Sequence, residues 1–171
     1  LDKKGYKVGI IAQPQTEEDF KKLGKPKYLF CISSGLLDSM LANYTPMLKK
    51  RELVHVPEHA VIKYTQTIKK LFKNSIIVIG GVEATLRRFC HFDYVENKLR
   101  RSILHDSKAD FLLFGNAERS LLNLLTQLKK HPDKKIEELK AIEYIKHIDG
   151  MALLIKKQQL PKKVRFLPSF E

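Results

Sequence analysis

The feature that most constrains this sequence is a set of short, almost uninterrupted apolar runs, each of strand length, with segments of helical period between them. The runs are Val8-Gly9-Ile10-Ile11-Ala12, Tyr28 to Ile32, Ile76 to Ile79, Phe111 to Phe114 and Met151 to Ile155. A strand with one wet face alternates apolar and polar residues, whereas one covered on both faces reads as continuous apolar sequence. Between the runs, Leu37, Met40, Leu41 and Tyr44 share one helical face. Val61, Tyr64, Ile68, Leu71 and Phe72 share another, as do Leu121, Leu124, Leu125 and Leu128. Thr16 with Asp19 three residues on reads as the cap of a short helix running towards Gly24. Strand and helix therefore alternate, and right-handed crossovers place helices on both faces. The expected fold is α/β: an open, mainly parallel sheet of about five strands with helices on both faces, Rossmann-like.

Residues 49–59 carry charges, Pro57 and no sustained period, and read as a loop; Ile136-Glu137-Glu138-Leu139 centres a short helix. After Lys157 the chain turns to Pro161, Pro168 and the basic Lys162-Lys163-Val164-Arg165, which suggests an extended linker. The expected organisation is one domain over 1–157 and a linker over 158–171. Leu1 to Gly5 resembles the last turn of a helix and its glycine stop, as if a preceding strand and helix were missing, so the sequence reads as part of a larger protein.

A chain of 171 residues, 43% of them hydrophobic, suffices for one sizeable core. Its two cysteines, Cys31 and Cys90, lie far apart among apolar and aromatic neighbours, which points to reduced thiols and a cytoplasmic setting. No run approaches the roughly 20 apolar residues of a membrane span, and no membrane partner is expected. The formal net charge of +13 draws acidic partners, RNA among them, although many lysines are doublets of the kind that solvate helix surfaces.

In an open parallel sheet, ligands sit beyond the carboxyl ends of the strands. The segments there are Ala12-Gln13-Pro14, Ser33-Ser34-Gly35 with Asp38 a turn later, Gly80-Gly81-Val82-Glu83, and Gly115-Asn116-Ala117-Glu118-Arg119. Glycine lets backbone approach a ligand, and helix starts offer unpaired N–H groups, so these segments form a candidate groove; each also reads as an ordinary turn or cap. Arg87-Arg88-Phe89-Cys90-His91-Phe92-Asp93-Tyr94, followed by Arg100 and Arg101, interleaves base and aromatic as a phosphate- and base-binding surface would. The bland alternative has the aromatics in the core and the arginines paired with Glu83, Asp93 and Glu96. His55 and His59 sit four apart and read as loop and helix-start residues, and no cysteine pair has zinc or cluster spacing, so no metal site is expected. No GxGxxG, Walker or GxSxG pattern occurs, and no catalytic residue is assigned.

Several segments together resemble the N-terminal region of the YgiQ-type radical SAM proteins: Gly5 to Pro14, Ser33-Ser34-Gly35 with Asp38-Ser39-Met40 and Asn43-Tyr44-Thr45, Gly80 to Ala84 with Leu86-Arg87-Arg88, Asp93-Tyr94, Arg101 to Leu104, Asp106 to Asp110, Gly115 with Glu118-Arg119, and Leu167-Pro168-Ser169-Phe170-Glu171. The resemblance implies a Rossmann-like domain similar to cobalamin-binding domains, and a 4Fe-4S cluster and S-adenosylmethionine held by a C-terminal radical SAM domain through a CxxxCxxC motif beyond Glu171. It also implies a first strand before Leu1 and a longer Gly- and Pro-rich loop near Arg51 to Pro57. No DxHxxG motif is present, so cobalamin binding is not asserted. The function expected is an accessory, substrate-handling domain of a radical SAM iron–sulfur protein, not catalytic by itself. The alternative is a domain that delivers RNA to a modifying enzyme. The candidate groove or interface comprises Ser33, Ser34, Gly35, Asp38, Gly80, Gly81, Glu83, Arg87, Arg88, Gly115, Glu118 and Arg119.

Overall fold

The computed structural model describes residues 1–52, 54–161 and 163–168; Ser169, Phe170 and Glu171, and Lys162 of the expected linker, lie outside the described residues. Its centre is a four-stranded sheet of β1 (Leu29–Ile32), β2 (Ile76–Ile79), β5 (Phe111–Leu113) and β6 (Met151–Ala152), in the order β1-β2-β5-β6. β1 and β2 pair in parallel, as do β2 and β5, while β6 runs antiparallel to β5. The fold is an open, mainly parallel α/β sheet, as the apolar runs require.

Both faces are covered, which is why the strand sequences do not alternate. On one face Ile32, Ile77, Ile79 and Leu112 pack against Phe20 of α1 (Glu17–Lys21), Val61, Tyr64 and Ile68 of α3 (Ala60–Leu71), and Ile103 and Leu104 of α5 (Ile103–Ser107). On the other, Val78, Phe111 and Leu113 meet Leu124 and Leu128 of α6 (Glu118–Lys130), Leu139 of α7 (Ile136–Ala141) and Ile145 of α8 (Glu143–Lys146). Each such side chain contributes about 1.5–3 kcal/mol on full burial, so the two stripes hold the layers together. The α1 cap forms as the sequence implies: the Asp19 N–H donates to Thr16 Oγ1, and the Asp19 carboxylate accepts from the Thr16 N–H.

Three expectations change. The Val8 run is not a strand: Val8 is 50% and Ile10 85% exposed. Side chains, and not a ladder, place this segment. Tyr6 meets Tyr28 edge-on at 6.1 Å, the Lys129 ammonium lies 4.8 Å from the Tyr6 ring centre, and Gly9 abuts Leu23. β1 is consequently an outermost strand, entered through Lys25-Pro26-Lys27. The last strand is shorter than expected and antiparallel. The Phe114 N–H donates to Gly150 O and the Ser120 hydroxyl to Asp149 O, so the chain enters β6 at the end where β5 leaves. The helix read from Leu37 to Tyr44 shortens to α2 (Ser39–Asn43), which buries Ser39, Met40 and Asn43 and leaves Leu37 and Leu41 exposed. A small hairpin, β3 (His91–Asp93) with β4 (Lys98–Arg100), follows α4 (Gly81–Leu86); its turn uses Asn97 at φ 51°. Short 3-10 turns occupy Asp2–Lys4, ending at Gly5 with φ 76°, and Lys157–Gln159.

Candidate functional site

The carboxyl ends of β1 and β2 meet where the glycines allow it. Gly81 has φ +78°, and a Cβ there would lie 3.0 Å from Ser33 Cβ, so the α4 start presses directly on the end of β1. The Gly80 N–H donates to Ile32 O at 2.9 Å and continues the ladder one residue beyond β2. The Ser34 hydroxyl donates to Leu37 O at 2.7 Å, and the Gly35 N–H to Ser33 Oγ at 3.3 Å, which folds the connection back towards α2.

Asp38 and Glu83 then join the elements. Asp38 Oδ1 accepts from the Met40 N–H at 2.8 Å and the Leu41 N–H at 3.3 Å, capping α2, and the same carboxylate takes both ends of the Arg87 guanidinium. Glu83 is fully buried. Its Oε2 accepts from the Ser39 N–H at 2.9 Å and its Oε1 from the Val61 N–H at 3.2 Å, so one carboxylate ties the starts of α2 and α3 to α4. A negative group suits these positions, because helix starts carry unpaired N–H groups and the positive end of the dipole. Burial pushes the Arg87 guanidinium below its ordinary pKa, against the pull of Asp93 and Tyr94.

Arg88 points to the third strand. Its Nη1 donates to Thr85 O at 2.6 Å, its guanidinium lies 4.7 Å from the Phe89 ring centre and 5.0 Å from that of Phe114, and its Nε is buried with no hydrogen-bond partner among the described residues. Gly115, at φ +68°, leads into α6, where Glu118 and Arg119 are exposed and make no side-chain hydrogen bond or ion pair among the described residues. The structure thus gathers Ser33, Ser34, Gly35, Asp38, Gly80, Gly81, Glu83 and Arg87 at one strand end through local bonds and the Gly81–Ser33 contact, sets Arg88 between them and β5, and leaves Glu118 and Arg119 facing solvent.

A second cluster was only partly legible. Arg100 donates from Nε to Asp93 Oδ2 at 2.8 Å, from Nη2 to Glu96 Oε1 at 2.5 Å and from Nη1 to Asp106 Oδ2 at 3.4 Å. Burial alone would raise the Asp93 pKa, but the Glu96 N–H, Arg100 and His59 hold it below its ordinary value. His59, remote in sequence, brings Nε2 to 3.6 Å from Asp93 and 3.5 Å from Glu96. These three residues could together reach a metal ion. Arg100, however, already occupies the two oxygens nearest His59, which makes the group an ion-pair network that pins the hairpin to the start of α3.

Neither cluster offers the parts of a catalytic pair: Asp38, Glu83 and Asp93 spend their oxygens on N–H groups and arginines. An iron–sulfur cluster also does not fit the residues present, since such clusters take thiolate ligands and this chain has two cysteines in all, both free. What the carboxyl edge offers is a surface with glycine-lined backbone, the Arg88 and Arg119 cations, and exposed Leu36, Leu37, Leu41, Val82, Leu86 and Phe89. A groove of about 520 Å³ opens beside it, lined by Gln13, Leu37, Leu41, Ala42, Arg51, Val54, His55 and Val56.

Comparison with known proteins bears on what this surface serves. A family model described as "Radical SAM N-terminal" matches residues 1–171. A UPF0313 protein of Clostridium botulinum (strain ATCC 19397 / Type A) is 43% identical over 182 residues, covering 100% of this chain and 27% of its own length. One from Methanocaldococcus jannaschii is 46% identical over 145 residues, covering 79% of this chain and 24% of its own. One from Clostridium perfringens (strain 13 / Type A) is 40% identical over 183 residues, covering 100% of this chain and 26% of its own. The chain therefore spans about a quarter of the length of these relatives. No solved structure matches it.

Proposed function

Because the chain belongs to the Radical SAM N-terminal family, we propose that it is an accessory, substrate-handling unit of a longer radical SAM protein. The observation that carries this reading is the state of the polar groups at the carboxyl edge. Asp38, Glu83 and Arg87 are bonded to one another's elements and to helix starts, so among the described residues they build a surface and hold no free acid–base pair, while Arg88, Glu118 and Arg119 remain available to a ligand. In this reading the 4Fe-4S cluster and S-adenosylmethionine reside in a C-terminal radical SAM domain of the same longer chain, where they supply the radical chemistry. Arg88, Glu118, Arg119 and the glycine-lined backbone of Gly80, Gly81 and Gly115 orient a substrate against that domain. No role for cobalamin is proposed.

The test is anaerobic purification of the whole protein beside this 171-residue unit, with iron and S-adenosylmethionine cleavage measured in both. About four irons per whole chain with cleavage, and neither in the unit, is the expected result. An iron-free, inert whole protein would refute the reading.

RNA contact is a second reading, favoured by the net charge of +13. Arg87 and Arg100 are spent on acids, so the contact would fall to Arg101, Arg119 and the exposed lysines. Binding that weakens steeply between low and physiological salt and is lost in an Arg101→Ala, Arg119→Ala double variant would support it. No affinity at low salt would remove it.

A further inference from the structure

The strand-end cluster has an outer side that the substrate-handling reading does not use. Asp38 and Glu83 hold α2 and α4 with Ser39, Met40, Asn43, Glu83 and Ala84 inward, and several large aliphatic and aromatic side chains are left outward at the carboxyl edge. Leu36 is 89% exposed, Leu86 60%, Leu37 57%, Leu41 and Phe89 54% each, and Val82 44%. On α4, Val82 and Leu86 are four residues apart and so lie on one face, while Glu83 and Ala84 take the buried face. Leu37 and Leu41, also four apart, form the wall of the groove of about 520 Å³, whose other apolar members are Ala42, Val54 and Val56 and whose polar members are Gln13, Arg51 and His55. Apolar residues with a few polar ones at the margin are how a protein–protein interface is built, and an apolar surface of this kind is not left wet without a cost.

We propose that this carboxyl-edge apolar face is the surface on which the remaining part of the longer chain docks, with Asp38, Glu83 and Arg87 as positioning residues that hold α2 and α4 in register beneath it. The proposal rests on the reading above, that this unit is one part of a longer protein. Two observations select this occupant. The relatives continue for roughly three quarters of their length outside the matched region, so a large folded neighbour of the same chain is present at high effective concentration. A second copy of this unit is disfavoured by charge, since it would bring +13, exposed Lys49, Arg51 and Arg101 included, against +13. The same charge asks for a partner face that is acidic around an apolar centre.

The experiment uses the whole protein with Cys31 and Cys90 replaced by serine. Cysteines are placed one at a time at Leu37→Cys, Leu86→Cys and, as a control on the outer side of α3, Lys70→Cys, whose native side chain is 72% exposed, and labelling is read at the introduced site alone by peptide mass spectrometry, since the remainder of the chain keeps its own cysteines. Maleimide labelling of the native protein should be at least tenfold slower at Leu37→Cys and Leu86→Cys than at Lys70→Cys, and the protection should persist on hundredfold dilution. Equal rates at the three sites would overturn the proposal. Protection that disappears on dilution would also overturn it, since the occupant would then be a second copy. A Leu37→Asp, Leu86→Asp double variant should raise proteolytic cleavage between this unit and the remainder at least tenfold, while amide exchange in α3 and α6 stays unchanged; unaltered cleavage counts against docking here. Iron content and S-adenosylmethionine cleavage are read on the same samples. Fast labelling in an active protein sinks the docking face alone, and slow labelling in an iron-free protein sinks the radical SAM reading alone.

Discussion

Replacing Glu83 by alanine tests the claim that one buried carboxylate assembles the strand-end cluster. The side chain is fully buried and accepts the Ser39 and Val61 N–H groups, so alanine leaves two buried donors without a partner and opens a void among α2, α3 and α4. Each orphaned buried donor costs about 1–3 kcal/mol, and the void adds to that, so the expected loss is about 3–5 kcal/mol. Glu83→Gln keeps the shape and one acceptor but turns an amide nitrogen towards an N–H donor; losing one charge-assisted bond should cost about 1.5–3 kcal/mol. With a urea m-value of about 2 kcal/mol per molar for a domain of this size, the alanine variant should unfold about 1.5–2.5 M earlier, and glutamine should fall between it and the native chain. The assay is urea titration followed by far-UV circular dichroism, with amide exchange at Ser39 and Val61 as the local readout. An alanine variant within about 0.5 M of the native midpoint, or exchange at the two amides no faster than before, would refute the bridging role.

Gly81→Ala should destabilise by about 1–2 kcal/mol through its left-handed φ alone, with more from the contact at Ser33. Adding Ser33→Gly should recover only the contact part, as thermal melts of the pair would show. Asp93→Asn should cost about 1–3 kcal/mol, and exchange at the Val95 and Glu96 amides, both bonded to Asp93 Oδ1, should rise with it. The native hairpin carries a matching pH signature. The folded Asp93 pKa lies below its ordinary value, so its contribution is complete above about pH 4 and is lost as pH falls from there through the folded value. Protection of those amides that instead fails between pH 7 and 5 would contradict the assignment.

The fold was legible wherever burial on both faces left a continuous apolar run, as in Ile76–Ile79 and Phe111–Leu113, and wherever a helix carried a complete stripe, as α3 and α6 do. It was illegible where a run of strand composition lacks a neighbour to pair with. Val8 to Ala12 has the residues of a strand, but pairing is a non-local property that composition does not record. The Leu37 to Tyr44 stripe misled for a related reason. Periodicity shows which residues share a face, and the side buried here is the one carrying Ser39 and Asn43, because Glu83 and the α3 start reach it. Within the candidate site, the strand-end glycines marked where β1 and β2 end side by side, and the pairing of Asp93 and Glu96 with an arginine was legible as the bland alternative. That Asp38 would take Arg87, and Glu83 two helix starts, depends on contacts across 49, 44 and 22 residues of sequence, which no local spacing encodes. His59 entered the hairpin network unannounced for the same reason.

The outermost position of β1 has a further consequence for how copies of this chain behave in concentrated solution. A strand edge left unpaired, as that of β1 is among the described residues, is a template for the growth of intermolecular sheet, yet this one is only four residues long and is entered through Lys25-Pro26-Lys27, two charges flanking a residue that has no N–H to donate. A foreign strand arriving there meets a short ladder and electrostatic repulsion. Contacts between copies are thereby steered from backbone pairing to the burial of side chains, a mode that reverses on dilution where fibrillar sheet does not.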